Sequence, residues 1–156
     1  MTFLINPNKL ESDVHNHDHI ANLATAAQFF ANQTLLTCLP NVFIPGYLLV
    51  QDTARNVRLL MHVSAQGRQC EYRYVDLAQV SNDLIFKHPH NIEGLRDGTT
   101  SSDVDPKCAG SVAAAGLAIG YASRDCQIPM DEEAVAMMIA YMAGSPAKKC
   151  HQESVL

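Results

Sequence analysis

The sequence is short of charge: Asp, Glu, Lys and Arg make up 17% of its 156 residues, against roughly a quarter in an average globular domain. A disordered chain needs charge or polarity in excess, so this shortage, beside 47% hydrophobic residues, predicts a packed core. It also predicts a bland surface, part of which a partner covers. There is no run of Lys and Arg. The 11 basic residues are outweighed by 16 acidic ones, for a formal net charge of −5. Phosphate backbones repel such a chain, so no nucleic-acid partner is expected. There is no long apolar run either. Ala109 to Ala122 is the longest weakly polar stretch, and it falls short of the roughly 20 residues that cross a bilayer. Met1 to Lys9 lacks the charged start and apolar stretch of a secretory signal. No membrane is therefore expected, and the cytoplasm is the expected location.

The five cysteines, Cys38, Cys70, Cys108, Cys126 and Cys150, include no Cys-x-x-Cys pair. An odd number at wide spacing predicts reduced, mostly buried thiols rather than a zinc ribbon or a disulfide framework. No phosphate loop, dinucleotide glycine fingerprint or Gly-x-Ser-x-Gly elbow occurs, which argues against nucleotide-driven chemistry. No internal repeat is present.

What remains suits one α+β domain spanning 1–156, with 1–14 and 147–156 loose. Ile20, Leu23, Ala24, Ala27, Phe30, Ala31 and Thr34 recur at helical spacing, and predict a helix over 20–36 that Pro40 stops. Val42 to Val50 reads as a strand that Pro45-Gly46 interrupts, and Asp52 to Asn56 as a turn. Val57 to Ser64 alternates, with Val57, Leu59, Met61 and Val63 on one face. Gln66-Gly67 then turns the chain into a return strand over 69–77, carrying Cys70, Tyr72 and Tyr74 on one face. Leu84-Ile85-Phe86 reads as a short fourth strand, and His88 to Asp105 as a long loop. Asp105-Pro106 is a helix start signal, and predicts a small-residue helix to Tyr121. A last helix begins near Asp131, buries Val135, Met138, Ile139 and Met142, and ends at Gly144. The expected architecture is thus an N-terminal helix, a central antiparallel sheet of three to four strands, and two C-terminal helices packed on the sheet.

Three clusters could carry chemistry. Cys108 would lie in the first turn of the small-residue helix, whose positive end favours a thiolate. His62 lies on the more polar face of its strand. A strand histidine preceding a cysteine that opens a helix resembles the circularly permuted branch of the papain-like hydrolases. Met61-His62-Val63 and Lys107-Cys108-Ala109-Gly110 carry the likeness; the aromatic-and-glycine pattern that flanks the histidine there is absent here. The resemblance implies Cys108 as nucleophile and His62 as base. The second cluster is His15, His17 and His19, whose alternate imidazoles reach one transition metal if the chain is extended. Alternatively they solvate a polar loop, as do His88 and His90. The third is Asp97, Asp103 and Asp105, which lacks the spacing of a calcium loop and reads as a capped loop.

None of these is a strong catalytic signature. The leading expectation is therefore a small binding or regulatory protein of the immunity, chaperone or regulator type, with no required cofactor. It acts on a protein partner or small ligand, or on itself as a homodimer. The Met-rich last helix (Met130, Met137, Met138, Met142) suits either a core or an adaptable contact face. A cysteine hydrolase and a histidine-dependent metal protein are the alternatives.

Overall fold

The computed structural model describes residues 7–36, 46–64, 72–89, 94–123 and 129–144. Its elements run α1 (Pro7–Leu36), β1 (Gly46–Gln51), β2 (Val57–Val63), α2 (Arg73–Phe86), β3 (Ser111–Ala114), β4 (Leu117–Ser123) and α3 (Pro129–Met142). Two single 3-10 turns, Ser101–Asp103 and Pro106–Cys108, precede β3. The expected α+β class holds: an N-terminal helix, an antiparallel four-stranded sheet and two further helices.

The sheet order is β2-β1-β4-β3. Two hairpins build it, and α2 lies between them in sequence. Strand alternation decides which side chain faces which layer. Leu48 and Val50 of β1, Ile119 and Tyr121 of β4, and Val112 of β3 join Leu23 and Ala27 of α1 and Ile139 of α3 in the main core. On the other face, Leu49 and Ala122 meet Tyr74 and Ala78 of α2. The molecule is therefore three layers, with α1 and α3 on one side of the sheet and α2 on the other. Each large aliphatic side chain fully buried there contributes about 1.5–3 kcal/mol.

The β1–β2 turn is written locally. The Asp52 Oδ1 atom accepts from the backbone N–H groups of Ala54 and Asn56, and its carbonyl accepts from Arg55 N–H. On strand β2, Leu59, Met61 and Val63 pack toward the main core as expected, whereas Val57, expected beside them, is exposed where the pairing with β1 shifts register.

Several expected elements are replaced. Helix α1 starts at Pro7, so 7–14 is helical rather than loose; a proline fits the first helical turn, where no N–H partner is needed. Residues 73–77 are not a return strand, and 84–86 are not a fourth strand: both belong to α2. Its buried residues, Tyr74, Val75, Ala78, Ser81, Asn82 and Ile85, follow a three-to-four spacing that only a helix presents to one neighbour. Conversely, the expected small-residue helix over 105–121 is one 3-10 turn followed by the β3–β4 hairpin. Ser111–Ala114 and Leu117–Ser123 are buried throughout, because helices cover both faces. A doubly covered strand shows no alternation, and its small residues admit α2 closely. A Cβ on Gly120 would lie 2.5 Å from Asn82 Oδ1 and 2.8 Å from Ser111 Oγ. In α3, Ala136, Ile139, Ala140 and Ala143 are the buried face, while Met138 and Met142 stand exposed. Of the expected stripe, Ile139 is buried and Val135 partly so. Alanines let α3 approach the sheet, and these two methionines turn outward. The expected turn at Gln66-Gly67, strand residues 42–45 and the tail 147–156 lie outside the described residues.

Candidate interaction surface

The polar residues singled out from sequence are mostly engaged in holding the fold. Asp97 Oδ1 accepts from Ala115 N–H and braces the β3–β4 turn. The Asp103 carboxylate accepts from Thr100 N–H, closing a capping box. Asp105 Oδ1 accepts from Lys107 N–H, the cap expected of it. The helix it was expected to start is a single turn, in which Cys108 is the last residue. Burial raises the Cys108 thiol above its ordinary pKa, and Asp105 adds to the rise by charge and by accepting the thiol proton's hydrogen bond; Lys107 opposes it. A thiolate nucleophile needs the opposite shift.

His62 lies on β2, at one edge of the sheet, whereas Cys108 leads into β3 at the other. Strands β1 and β4 lie between them. Three strand spacings place β2 and β3 about 14 Å apart, so the structure does not bring this pair within hydrogen-bond reach. The His62 ring instead meets Tyr47, with centroids 5.1 Å apart, and its Nε2 atom is buried with no hydrogen-bond partner among the described residues.

The backbone through His15, His17 and His19 is helical. Successive residues of a helix turn by about 100°, so the extended geometry that would bring all three to one metal is not adopted. His19 is buried at 7% exposure; the side chains of His15 and His17 lie outside the described residues. Among the described residues, no group of three or more His, Cys, Asp or Glu side chains is placed to hold a metal ion. No described helix is long and apolar enough to cross a membrane.

Sequence reasoning missed a buried polar network under α2. Asn82, wholly buried, donates to Leu49 O and Gln51 Oε1 and accepts from Ser111 Oγ at 2.6 Å. Gln51 and Gln79 exchange hydrogen bonds, and Gln79 reaches Asp83. On the opposite side, Glu133 is 3% exposed and accepts from both the N–H and the hydroxyl of Ser102. These groups are satisfied by one another, as a structural network requires.

Apolar side chains, by contrast, stand in solvent. Helix α2 packs over β4, β1 and β3 and stops short of β2. Among the described residues, the α2-side face of β2 is thus open at Leu60, while His62 on it is half-buried against Tyr47. Leu60 there is 40% exposed and Val57 at the start of the strand 57%, although Leu49, the partner of Leu60 in register, is buried. Tyr72 stands edge-on to Tyr47 at 5.8 Å and is also exposed. Leu77 and Val80 also stand exposed, on α2. A second apolar patch lies where α1 meets α3: an open cleft of about 550 Å³ lined by Phe29, Ala26, Met142 and Ala143. A third concavity of about 500 Å³ is polar, with His88, Arg96, Asp97 and Asp103 on its wall.

Compared with known proteins, the chain matches no family model, no curated protein and no solved structure.

Proposed function

We propose that this chain is a small binding or regulatory protein, of the immunity, chaperone or regulator type, that acts through apolar protein contacts and works as a homodimer. The observation that carries this reading is the exposed apolar surface at Val57 and Leu60 of β2 and at Tyr72, just before α2. Contiguous exposed apolar surface marks an interaction site. The polar side chains in the loop before β3 speak the same way, since Asp97, Asp103 and Asp105 all cap local backbone. A reducing cytoplasm is the setting we infer, from the odd number and wide spacing of the cysteines.

Light scattering on the full chain during size exclusion, over a range of concentrations, tests the reading. It expects a particle of twice the 17.1 kDa chain mass. A single-chain mass at every concentration would remove the homodimer.

A further inference from the structure

The two edges of the sheet are treated differently. The outer edge of β3 is paired by the segment before it: Gly98 N–H donates to Ala113 O at 2.8 Å, Ala113 N–H donates to Thr99 O at 2.7 Å, and Thr100 bridges Val112. Among the described residues, nothing pairs with the outer edge of β2. An open strand edge exposes unpaired backbone donors and acceptors, and proteins usually blunt it with lysine, proline or a covering segment. Strand β2 reads Val-Arg-Leu-Leu-Met-His-Val. It has one charged residue, no lysine and no proline.

The same seven residues are nearly a palindrome. Read backwards from Val63 they give Val, His, Met, Leu, Leu, Arg, Val. An antiparallel copy centred on Leu60 therefore sets Val57 against the partner's Val63, Leu59 against the partner's Met61, and Leu60 against the partner's Leu60. Arg58 meets the partner's His62, and no carboxylate meets a carboxylate. Because paired residues keep the same parity, the main-core face of one copy continues into that of the other. A centre one residue earlier would set Arg58 against Leu60 and Val63 against Arg55; one residue later would set Arg58 against Ser64. Only the Leu60 centre matches size with size through Leu59–Met61, the stretch clear of the register shift between Leu59 and Val57.

We propose that a second copy of this chain docks on β2, antiparallel and centred on Leu60, and joins two four-stranded sheets into one of eight. The proposal rests on the homodimer reading and gives it an address. It also accounts for why Leu60 and Val57 are apolar at exposed positions. An isologous contact of this kind closes on itself and leaves no β2 edge for further growth.

The test uses the full chain and three variants in sedimentation velocity, with circular dichroism as the folding control. Leu60→Lys sets two like charges against each other at the axis. It is expected to raise the dimer dissociation constant by about a hundredfold or more, since apolar burial is lost twice and repulsion added. Leu60→Glu is expected to do the same. Mixing the two variants sets the introduced lysine against the introduced glutamate, and is expected to restore dimers that neither forms alone. Val80→Lys, on the outer face of α2, is expected to leave the dimer intact. A dimer that survives Leu60→Lys but dissociates in Val80→Lys would overturn the β2 address and keep the homodimer. Failure of the mixture to recover dimers would overturn the Leu60 centre. A native chain that sediments as one subunit throughout would overturn both readings.

Discussion

Gly120 shows how narrowly a single side chain is fitted here. The first atom of an alanine would fall within 2.8 Å of two buried oxygens, and within 3.1 Å of Ala78 O. Gly120→Ala must therefore push α2 away from the sheet or break the Asn82–Ser111 bond. We expect a loss of about 1–3 kcal/mol, the range for overpacking a tight core, measurable by urea unfolding. Cys108 makes a prediction of a different kind. Its thiol is held protonated, first by burial and then by Asp105. Alkylation of Cys108, followed by peptide mass analysis, should therefore stay slow at neutral pH and rise only above the range of a free cysteine. Asp105→Asn should speed it, because the repulsion goes while an N-cap side chain remains. Reaction already maximal at neutral pH would point to a stabilised thiolate and revive the hydrolase reading. The sequence made Asp105 legible as a cap, because the Asp-Pro pair acts within one turn. It could not show that the turn ends at Cys108, since the conformation of residues 109–121 depends on the sheet they join.

Among the elements, the β3–β4 hairpin is the one most at odds with its sequence. Small residues at Ala113, Ala114, Ala118 and Gly120 read as a close-packing helix, yet they are strands covered on both faces. Periodicity disappears when both faces are buried, so helix and strand could not be told apart there. A different cause, local propensity, hid α2. Tyr72, Tyr74 and Val75 favour strands by propensity, but the buried set continues through Ala78, Asn82 and Ile85. By contrast Leu59, Met61 and Val63 of β2 fall on the core face as their alternation reads, and Val57 departs from it where the pairing with β1 shifts register. The hairpin turn is testable. Ala115 and Gly116 both have positive φ, 55° and 76°, as in a type I′ turn, which favours Asn-Gly. A non-glycine residue in that left-handed region is strained by roughly 1–2 kcal/mol. Ala115→Asn should relieve part of it and raise the melting temperature by a few degrees, since Asp97 still accepts from the backbone N–H at this position. An unchanged or lower melting temperature would mean that the turn is not strained at Ala115.

At the scale of the whole molecule, the polar and apolar surfaces divide the work. Among the described carboxylates, Asp97 braces the β3–β4 turn, Asp103 closes its own turn, and Glu133 ties α3 to the loop at Ser102. The leucines and valines of β2 and α2 that stand exposed, Val57, Leu60, Leu77 and Val80, face solvent instead. The expectation of a bland, partner-covered surface came from the scarcity of charge. Which apolar side chains stand exposed was not legible, because it depends on how far α2 reaches over the sheet. The central claim is that β2 is where two copies meet, and backbone amide exchange read across a concentration series tests it most directly. On an edge strand alternate amides point away from the sheet and exchange readily. If two copies pair through β2, those amides are protected in concentrated samples and lose protection on dilution, while β4, in the interior of the sheet, stays protected at both. Equal exchange of the β2 amides at high and low concentration would contradict the account.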